Sequence, residues 1–128
     1  MAIRCLIVDD SPRFARAARE LLQDDGIDVL GLAAGGEEAV RLARELRPDL
    51  VLIDIDLGDE SGVAVACRLC AEEPEGLAGA VILISTHAEE EFAELIDTSP
   101  AVGFLAKSDL SADAIVALLS GCEQRPVE

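Results

Sequence analysis

The feature that most constrains the fold is a regular alternation between two kinds of segment. Short apolar runs rich in branched residues are bounded by turn residues, and they are apolar at successive positions, as is typical of strands covered on both faces. These runs are residues 3–8, 27–33, 50–53, 80–84 and 101–106. The pattern therefore predicts five buried strands.

The segments between and after these runs have the spacing of amphipathic helices. Their apolar residues recur every three or four positions and predict one buried stripe per helix: Phe14, Ala17, Leu21; Ala39, Ala43, Leu46; Val63, Ala66, Leu69; Phe92, Leu95, Ile96; and Ile115, Leu118, Leu119. Boundary signals agree with five helices. Ser11-Pro12 begins the first, Arg47-Pro48 and Ser99-Pro100 end the second and fourth, and Ser111 and Gly121 bound the fifth.

Five strand-helix units predict an α/β fold with a parallel sheet and helices on both of its faces, since each crossover is right-handed and must pack back on the sheet. With 128 residues the chain has the size of one domain. We expect this domain to span residues 1–121, with 122–128 as a C-terminal tail or the start of a linker. Open sheets of this kind bind ligands beyond the carboxyl ends of their strands.

Charge and composition exclude several classes of function. Asp and Glu number 26 against 10 Lys and Arg, which gives a net charge of −16, so direct nucleic-acid binding by this chain is not expected. Nothing approaches the roughly 18 successive apolar residues of a membrane span, and the N-terminus lacks the regions of a signal peptide, so we expect a cytoplasmic protein. Among four cysteines, Cys67 and Cys70 form a CxxC pair without a second pair to complete a zinc site. We expect reduced, structural thiols.

Polar residues gather where the predicted strands end. They are Asp9 and Asp10 after the first strand, Asp54 and Asp56 after the third, Ser85 and Thr86 after the fourth, and Lys107 after the fifth. The carboxyl ends of parallel strands share one edge, so these side chains should converge. Three carboxylates there, Asp9, Asp10 and Asp54, would repel one another unless they were protonated or bridged by a hard divalent cation. The pattern favours a Mg²⁺ site.

Lys107 is the only lysine in the chain. A compact ammonium can pair with a carboxylate or phosphoryl oxygen as a point charge, and the Ser85 hydroxyl can donate to a phosphoryl oxygen. With Asp54 as nucleophile these groups form a minimal phosphoryl-transfer site. Each feature alone also fits a turn, a helix N-terminus or a solvated loop. Their joint placement favours the site.

These residues resemble the receiver domains of two-component response regulators, and the resemblance covers residues 3 to about 119. It implies a flavodoxin-like sheet with strand order 2-1-3-4-5. It also implies that Asp54 accepts a phosphoryl group from a sensor histidine kinase and that Lys107 binds that group. Mg²⁺ would be bound by Asp10, Asp54 and the backbone carbonyl of Asp56, with Asp9 acting through water. Ser85 and Phe104 would form the switch pair, and the sequence DIDLGDESG at residues 54–62 is similar to the family's loop after the acceptor.

Three positions depart from the family pattern. Gly58 replaces a usual proline, which predicts a more mobile loop. Ser108 follows Lys107 where many receivers have a proline, as is familiar in receivers joined to helix-turn-helix output domains. Thr86 stands where a small residue is usual, and its stiff side chain should restrict access to the acceptor. His87 is either an exposed loop residue or a further influence on water access.

The sequence thus predicts a phosphorylation-controlled switch that catalyses its own phosphorylation and slow dephosphorylation. One alternative is a haloacid-dehalogenase-like phosphatase, which uses the Asp-x-Asp spacing of Asp54 and Asp56, although normally after the first strand. Another is a pseudo-receiver that only binds partners. The expected partner is a sensor histidine kinase, while homodimerisation and a fused or separate output domain are left open.

Overall fold

Five parallel strands form the centre of the computed structural model, which describes residues 3–58, 60–71, 80–86 and 101–124, with the backbone alone for 120–124. The strands are β1 (Arg4–Val8), β2 (Asp28–Ala33), β3 (Leu50–Asp54), β4 (Ala80–Ser85) and β5 (Gly103–Ala106). Their order across the sheet is β2-β1-β3-β4-β5, and all pairings are parallel. The predicted α/β fold and strand order are therefore confirmed.

Four α-helices lie within the described residues: α1 (Pro12–Asp24), α2 (Gly36–Leu46), α3 (Gly62–Ala71) and α4 (Ala112–Gln124). A short 3-10 helix, Lys107–Asp109, follows β5. The predicted helix containing Phe92, Leu95 and Ile96, with its end at Ser99-Pro100, lies outside the described residues. None of the described helices is long and apolar enough to cross a membrane.

Most of the predicted helix boundaries are confirmed. The Ser11 hydroxyl accepts a hydrogen bond from the Phe14 N–H at 3.3 Å, with Pro12 in the first turn, and the Ser111 hydroxyl accepts from the Ala114 N–H at 3.0 Å. The end predicted at Gly121 is wrong, because α4 continues to Gln124. A single glycine weakens a helix without removing its backbone hydrogen bonds, so it does not by itself stop one. The domain boundary at residue 121 stays a prediction.

The two faces of the sheet carry separate apolar cores. Helices α2 and α3 pack on one face, and α1 and α4 pack on the other. The buried stripe predicted for α1 is wrong by one residue, since Ala15, Ala18 and Leu22 are buried while Leu21 is 43% exposed. Both stripes consist of apolar residues at the same spacing, so periodicity could not separate them. The structure favours the stripe with two alanines, which lets the helix approach the sheet closely.

The cysteines differ in environment. Cys5 is buried in β1, and burial raises the pKa of its thiol to about 12. Cys67 and Cys70 are also free thiols, but both are exposed on α3. The predicted reduced state therefore holds for Cys5, Cys67 and Cys70, whereas a role in packing fits only Cys5, because the buried face of α3 is formed by Val65, Ala66 and Leu69. The side chain of Cys122 lies outside the described part of the chain.

Candidate functional site

The carboxyl edge of the sheet brings together side chains from four strands. Asp9 directly follows β1, Asp54 and Ser85 are the last residues of β3 and β4, and Lys107 directly follows β5. The register explains this convergence, since Asp54 pairs with Ile84 and Ser85 pairs with Ala106. Residues almost 100 positions apart in the sequence thus meet at one edge.

Three carboxylates form the centre of the site. One oxygen from each of Asp9, Asp10 and Asp54 lies within 4.8 Å of the other two. Asp9 and Asp54 are buried, whereas Asp10 is exposed and leaves the cluster open to solvent. Asp9 is oriented by the Ser11 N–H, which donates to its Oδ1 at 2.8 Å. A set of carboxylate oxygens, partly buried and open on one side, fits a hard divalent cation such as Mg²⁺.

The Asp56 carboxylate is not part of this cluster. Its Oδ1 accepts a hydrogen bond from the Gly58 N–H at 3.1 Å, while its own N–H donates to Asp54 Oδ1 at 3.1 Å. Gly58 has φ +78°, a conformation that proline cannot adopt. A β-carbon there would also lie 3.2 Å from Asp10 Oδ2. The departure at Gly58 therefore has a local conformational cause.

Lys107 supplies the cation of the site. Its Nζ lies 2.7 Å from Asp9 Oδ2 and 3.0 Å from Asp54 Oδ2. Burial raises the pKa of Asp54, an effect that the hydrogen bonds from Lys107 and the Asp56 N–H oppose only in part. Burial alone would lower the pKa of Lys107, but the neighbouring carboxylates of Asp9 and Asp54 outweigh that effect and raise it. The ammonium therefore remains charged at neutral pH.

Phe14 is a site residue that the sequence analysis did not identify. The Lys107 ammonium lies 4.3 Å from the centroid of the Phe14 ring, within the range of a cation–π contact. The Ser11 cap fixes the first turn of α1, which carries this ring to the edge of the acidic cluster. The rarity of aromatic residues, 2% of the chain, is the one signal in the sequence that could single out Phe14, whereas its spacing predicts a place in the buried stripe.

Ser85, Phe104 and Thr86 lie in or directly after β4 and β5, in different environments. Ser85 is 2% exposed. Phe104 pairs with Leu83 while Ala106 pairs with Ser85, so Ser85 and Phe104 project from the same face of the sheet, two positions apart. Thr86 is exposed immediately after β4. His87 lies outside the described residues.

Comparison with known proteins identifies the family. Residues 5–120 match the family model of the response regulator receiver domain. The positive alginate biosynthesis regulatory protein of Pseudomonas aeruginosa is 44% identical over 115 residues, which cover 88% of this chain and 44% of that protein. The response regulator GacA of Pseudomonas viridiflava is 31% identical over 117 residues, which cover 91% of this chain and 53% of that protein. The chain thus spans about half the length of these two relatives.

Solved structures agree with this family. A two-component response regulator of the LuxR family from Aurantimonas sp. SI85-9A1 superposes with a TM-score of 0.82 at 27% identity, covering 94% of this chain and 87% of that one. The receiver domain of the putative response regulator NarL from Mycobacterium tuberculosis gives a TM-score of 0.80 at 27% identity, covering 97% and 98%. Sequence, fold and family match therefore agree, and the chain belongs to the response regulator receiver domains of two-component signalling.

Proposed function

We propose that this receiver is switched by transfer of a phosphoryl group from a sensor histidine kinase to Asp54 in a Mg²⁺-dependent reaction. The observation that carries the proposal is the position of Asp54, the last residue of the central strand β3. Its carboxylate contacts Lys107 and belongs to the acidic cluster. A nucleophilic carboxylate, an ammonium and a set of metal ligands are the groups that phosphoryl transfer requires.

The metal would be held by Asp10, Asp54 and the backbone carbonyl of Asp56, with Asp9 acting through water. This assignment is supported by the oxygen-only donor set and by the Asp56 carboxylate, which is already engaged by the Gly58 N–H. Bound Mg²⁺ would neutralise the crowded carboxylates and the negative charge of the phosphoryl group. The other roles in phosphoryl transfer belong to the side chains of Asp54, Lys107 and Ser85.

In the transfer step, an Asp54 oxygen forms a bond to the phosphorus atom of the kinase's phosphohistidine. The bond between that phosphorus and the imidazole nitrogen of the histidine breaks. The electron pair of that bond stays with the departing imidazole, which takes up a proton. Lys107 already contacts Asp54 Oδ2 at 3.0 Å and is placed to stabilise charge on the transferred group. The Ser85 hydroxyl, on the neighbouring strand, would donate to a phosphoryl oxygen.

The switch would act through Ser85 and Phe104. Their placement on one face of adjacent strands supports this role, since a hydroxyl drawn toward the phosphoryl group vacates space into which the ring can turn. Thr86, exposed after β4, would restrict the approach of donors and water, and His87 would be a further influence on the access of water. The changed surface would act on a homodimer partner or on an output domain in transcription regulation.

The two alternatives are less well supported. A haloacid-dehalogenase-like phosphatase normally carries its Asp-x-Asp motif after the first strand, whereas Asp54 ends β3, and the chain matches receivers. A pseudo-receiver that only binds partners would not need the contacts that join Asp9, Asp54 and Lys107. These contacts favour an active phosphoacceptor.

Labelling with a small donor tests the proposal. Incubation with acetyl phosphate and Mg²⁺ should add one phosphoryl mass to the wild type, as measured by mass spectrometry of the intact protein. Asp54→Asn should remove the label, because the amide is not a competent nucleophile. Asp24→Asn, an exposed change at the end of α1, is the matched control and should label normally. Equal labelling of Asp54→Asn would contradict the acceptor assignment, and an unlabelled wild type would favour the pseudo-receiver.

A further inference from the structure

A contact outside the acidic cluster joins the loop after the acceptor to α2. We call residues 55–58 and 60–61 the acceptor loop. The N-cap of α2 is Gly35, which has no side chain to satisfy the first N–H groups of the helix. Glu60 supplies an acceptor from the loop instead, because its Oε2 accepts from the Gly36 N–H at 2.9 Å. A carboxylate is favoured at a helix N-terminus by both the hydrogen bond and the helix dipole.

The close approach of Glu60 depends on the glycines at this N-terminus. A β-carbon on Gly36 would lie 2.5 Å from Glu60 Oε1 and 3.0 Å from Val65 Cγ2 on α3. A β-carbon on Gly35 would lie 3.0 Å from Glu60 Oε2. The acceptor loop, α2 and α3 therefore meet at a point where only glycine fits without a shift of its neighbours.

Hydrogen bonds connect Glu60 to the metal-binding end of the loop. The Leu57 N–H donates to the Glu60 carbonyl at 3.1 Å, and Asp56 pairs with Ser61 in an antiparallel bridge. The Asp56 N–H in turn donates to Asp54 Oδ1. Because Gly58 provides none of the stiffness of a proline, the position of Asp56 depends on how the far side of this turn is anchored.

We propose that Glu60 is a positioning residue that fastens the acceptor loop to α2 and so holds the Asp56 carbonyl where Mg²⁺ binds. The inference rests on the proposed function, in which that carbonyl is a ligand. It assigns α2 a mechanical role: the helix is the fixed support for a loop that would otherwise move relative to Asp10 and Asp54.

Calorimetric titration of the metal-free protein with Mg²⁺ tests this role. Glu60→Ala should weaken Mg²⁺ binding about fivefold, the factor that corresponds to one hydrogen bond. Glu60→Gln should bind nearly as the wild type does, since its amide oxygen can still accept from Gly36. Gly36→Ala breaks the contact from the α2 side and should weaken binding similarly. Glu45→Ala, an exposed change on α2, is the control and should have no effect.

Hydrogen exchange of the Gly36 amide gives a second readout that is independent of metal. Its exchange should accelerate in Glu60→Ala and remain slow in Glu60→Gln. Phosphoryl labelling of Glu60→Ala should be slow at limiting Mg²⁺ and normal at saturating Mg²⁺. If exchange accelerates while Mg²⁺ affinity stays that of the wild type, Glu60 is only a helix cap and the inference is wrong. If the wild type itself binds no Mg²⁺, the proposed function fails as well.

Discussion

Replacing Lys107 by methionine should destabilise the metal-free protein far more than the loss of an exposed charge. Methionine keeps an unbranched apolar chain in the space of the lysine stem but has no ammonium. The Lys107 Nζ lies 2.7 Å from Asp9 Oδ2 and 3.0 Å from Asp54 Oδ2, and the Asp9 side chain is 0% exposed. The substitution therefore leaves two buried carboxylates without the cation that contacts both.

The size of the destabilisation caused by Lys107→Met follows from these distances. At an effective dielectric constant of about 20, each contact is worth about 6 kcal/mol before the ammonium's desolvation is subtracted. The two carboxylates, within 4.8 Å of each other, repel by at least about 3.5 kcal/mol on the same basis. Entry of water and protonation of Asp54 would relieve part of this electrostatic cost. We therefore expect the free energy of unfolding to fall by about 3 kcal/mol at pH 7, within the range found when a buried ion pair loses one partner.

The loss of folding stability in Lys107→Met should depend on pH in a defined direction. The folded-state pKa of Lys107 is raised above its usual 10.5, so its stabilisation is complete below that value and is lost as the pH rises through the folded pKa. On acidification the free energies of unfolding of the variant and the wild type should converge. This convergence should begin at a pH above the usual pKa range of aspartate, because the pKa of Asp54 is also raised.

Urea unfolding followed by circular dichroism measures the effect, since the chain has no Trp or Tyr for fluorescence. Arg41→Met is the matched control: Arg41 is 57% exposed and lies 3.6 Å from Glu38 and Glu45, so the same charge change should cost less than about 1 kcal/mol. Mg²⁺ should restore more stability to Lys107→Met than it adds to the wild type. A loss no larger than that of Arg41→Met would refute the electrostatic argument.

Substitutions at three further positions probe the rest of the site. Thr86→Ala should speed phosphoryl labelling by acetyl phosphate about fivefold, as expected if an obstruction of about 1 kcal/mol is removed; an unchanged rate at equal Mg²⁺ affinity would mean that Thr86 does not restrict access. Phe14→Leu should slow labelling at saturating Mg²⁺ by about threefold, the equivalent of a modest cation–π contact with Lys107. Phe14→Tyr should retain the rate, and equal rates in all three proteins would show that the ring does not position the ammonium. Ser85→Ala should abolish the amide NMR shifts that beryllofluoride produces near Phe104; shifts that persist there would exclude Ser85 as the switch hydroxyl.

The sequence predicted the parts of the site that depend on strand order. Four of the five apolar runs are followed by polar residues, and a parallel sheet fixes on which edge those residues lie. The convergence of Asp9, Asp54 and Lys107 therefore needed only the correct identification of strands. Strand identification succeeded because runs buried on both faces are apolar at most successive positions, a pattern that an exposed helix does not share.

The sequence could not predict contacts that depend on the rotation of a helix or the path of a loop. The stripe containing Phe14 and the stripe containing Ala15 fit the α1 periodicity equally well, so the ring's position over Lys107 was not accessible. In the sequence, Glu60 is likewise one acid among many in a chain of net charge −16. Its contact with Gly36 joins residues 24 positions apart, and neither residue type signals such a partner.

The charge balance of the site explains why this fold is suited to switching. One ammonium contacts two buried carboxylates, and a third, Asp10, lies beside them, so the metal-free cluster carries unbalanced negative charge. Phosphorylation of Asp54 would replace a singly charged carboxylate by a group of about two negative charges. A phosphoryl oxygen on Asp54 would then compete with the Asp9 and Asp54 carboxylates for the Lys107 ammonium. Because Lys107 directly follows β5, a shift of the ammonium toward the phosphoryl group would also displace the end of the strand that carries Phe104.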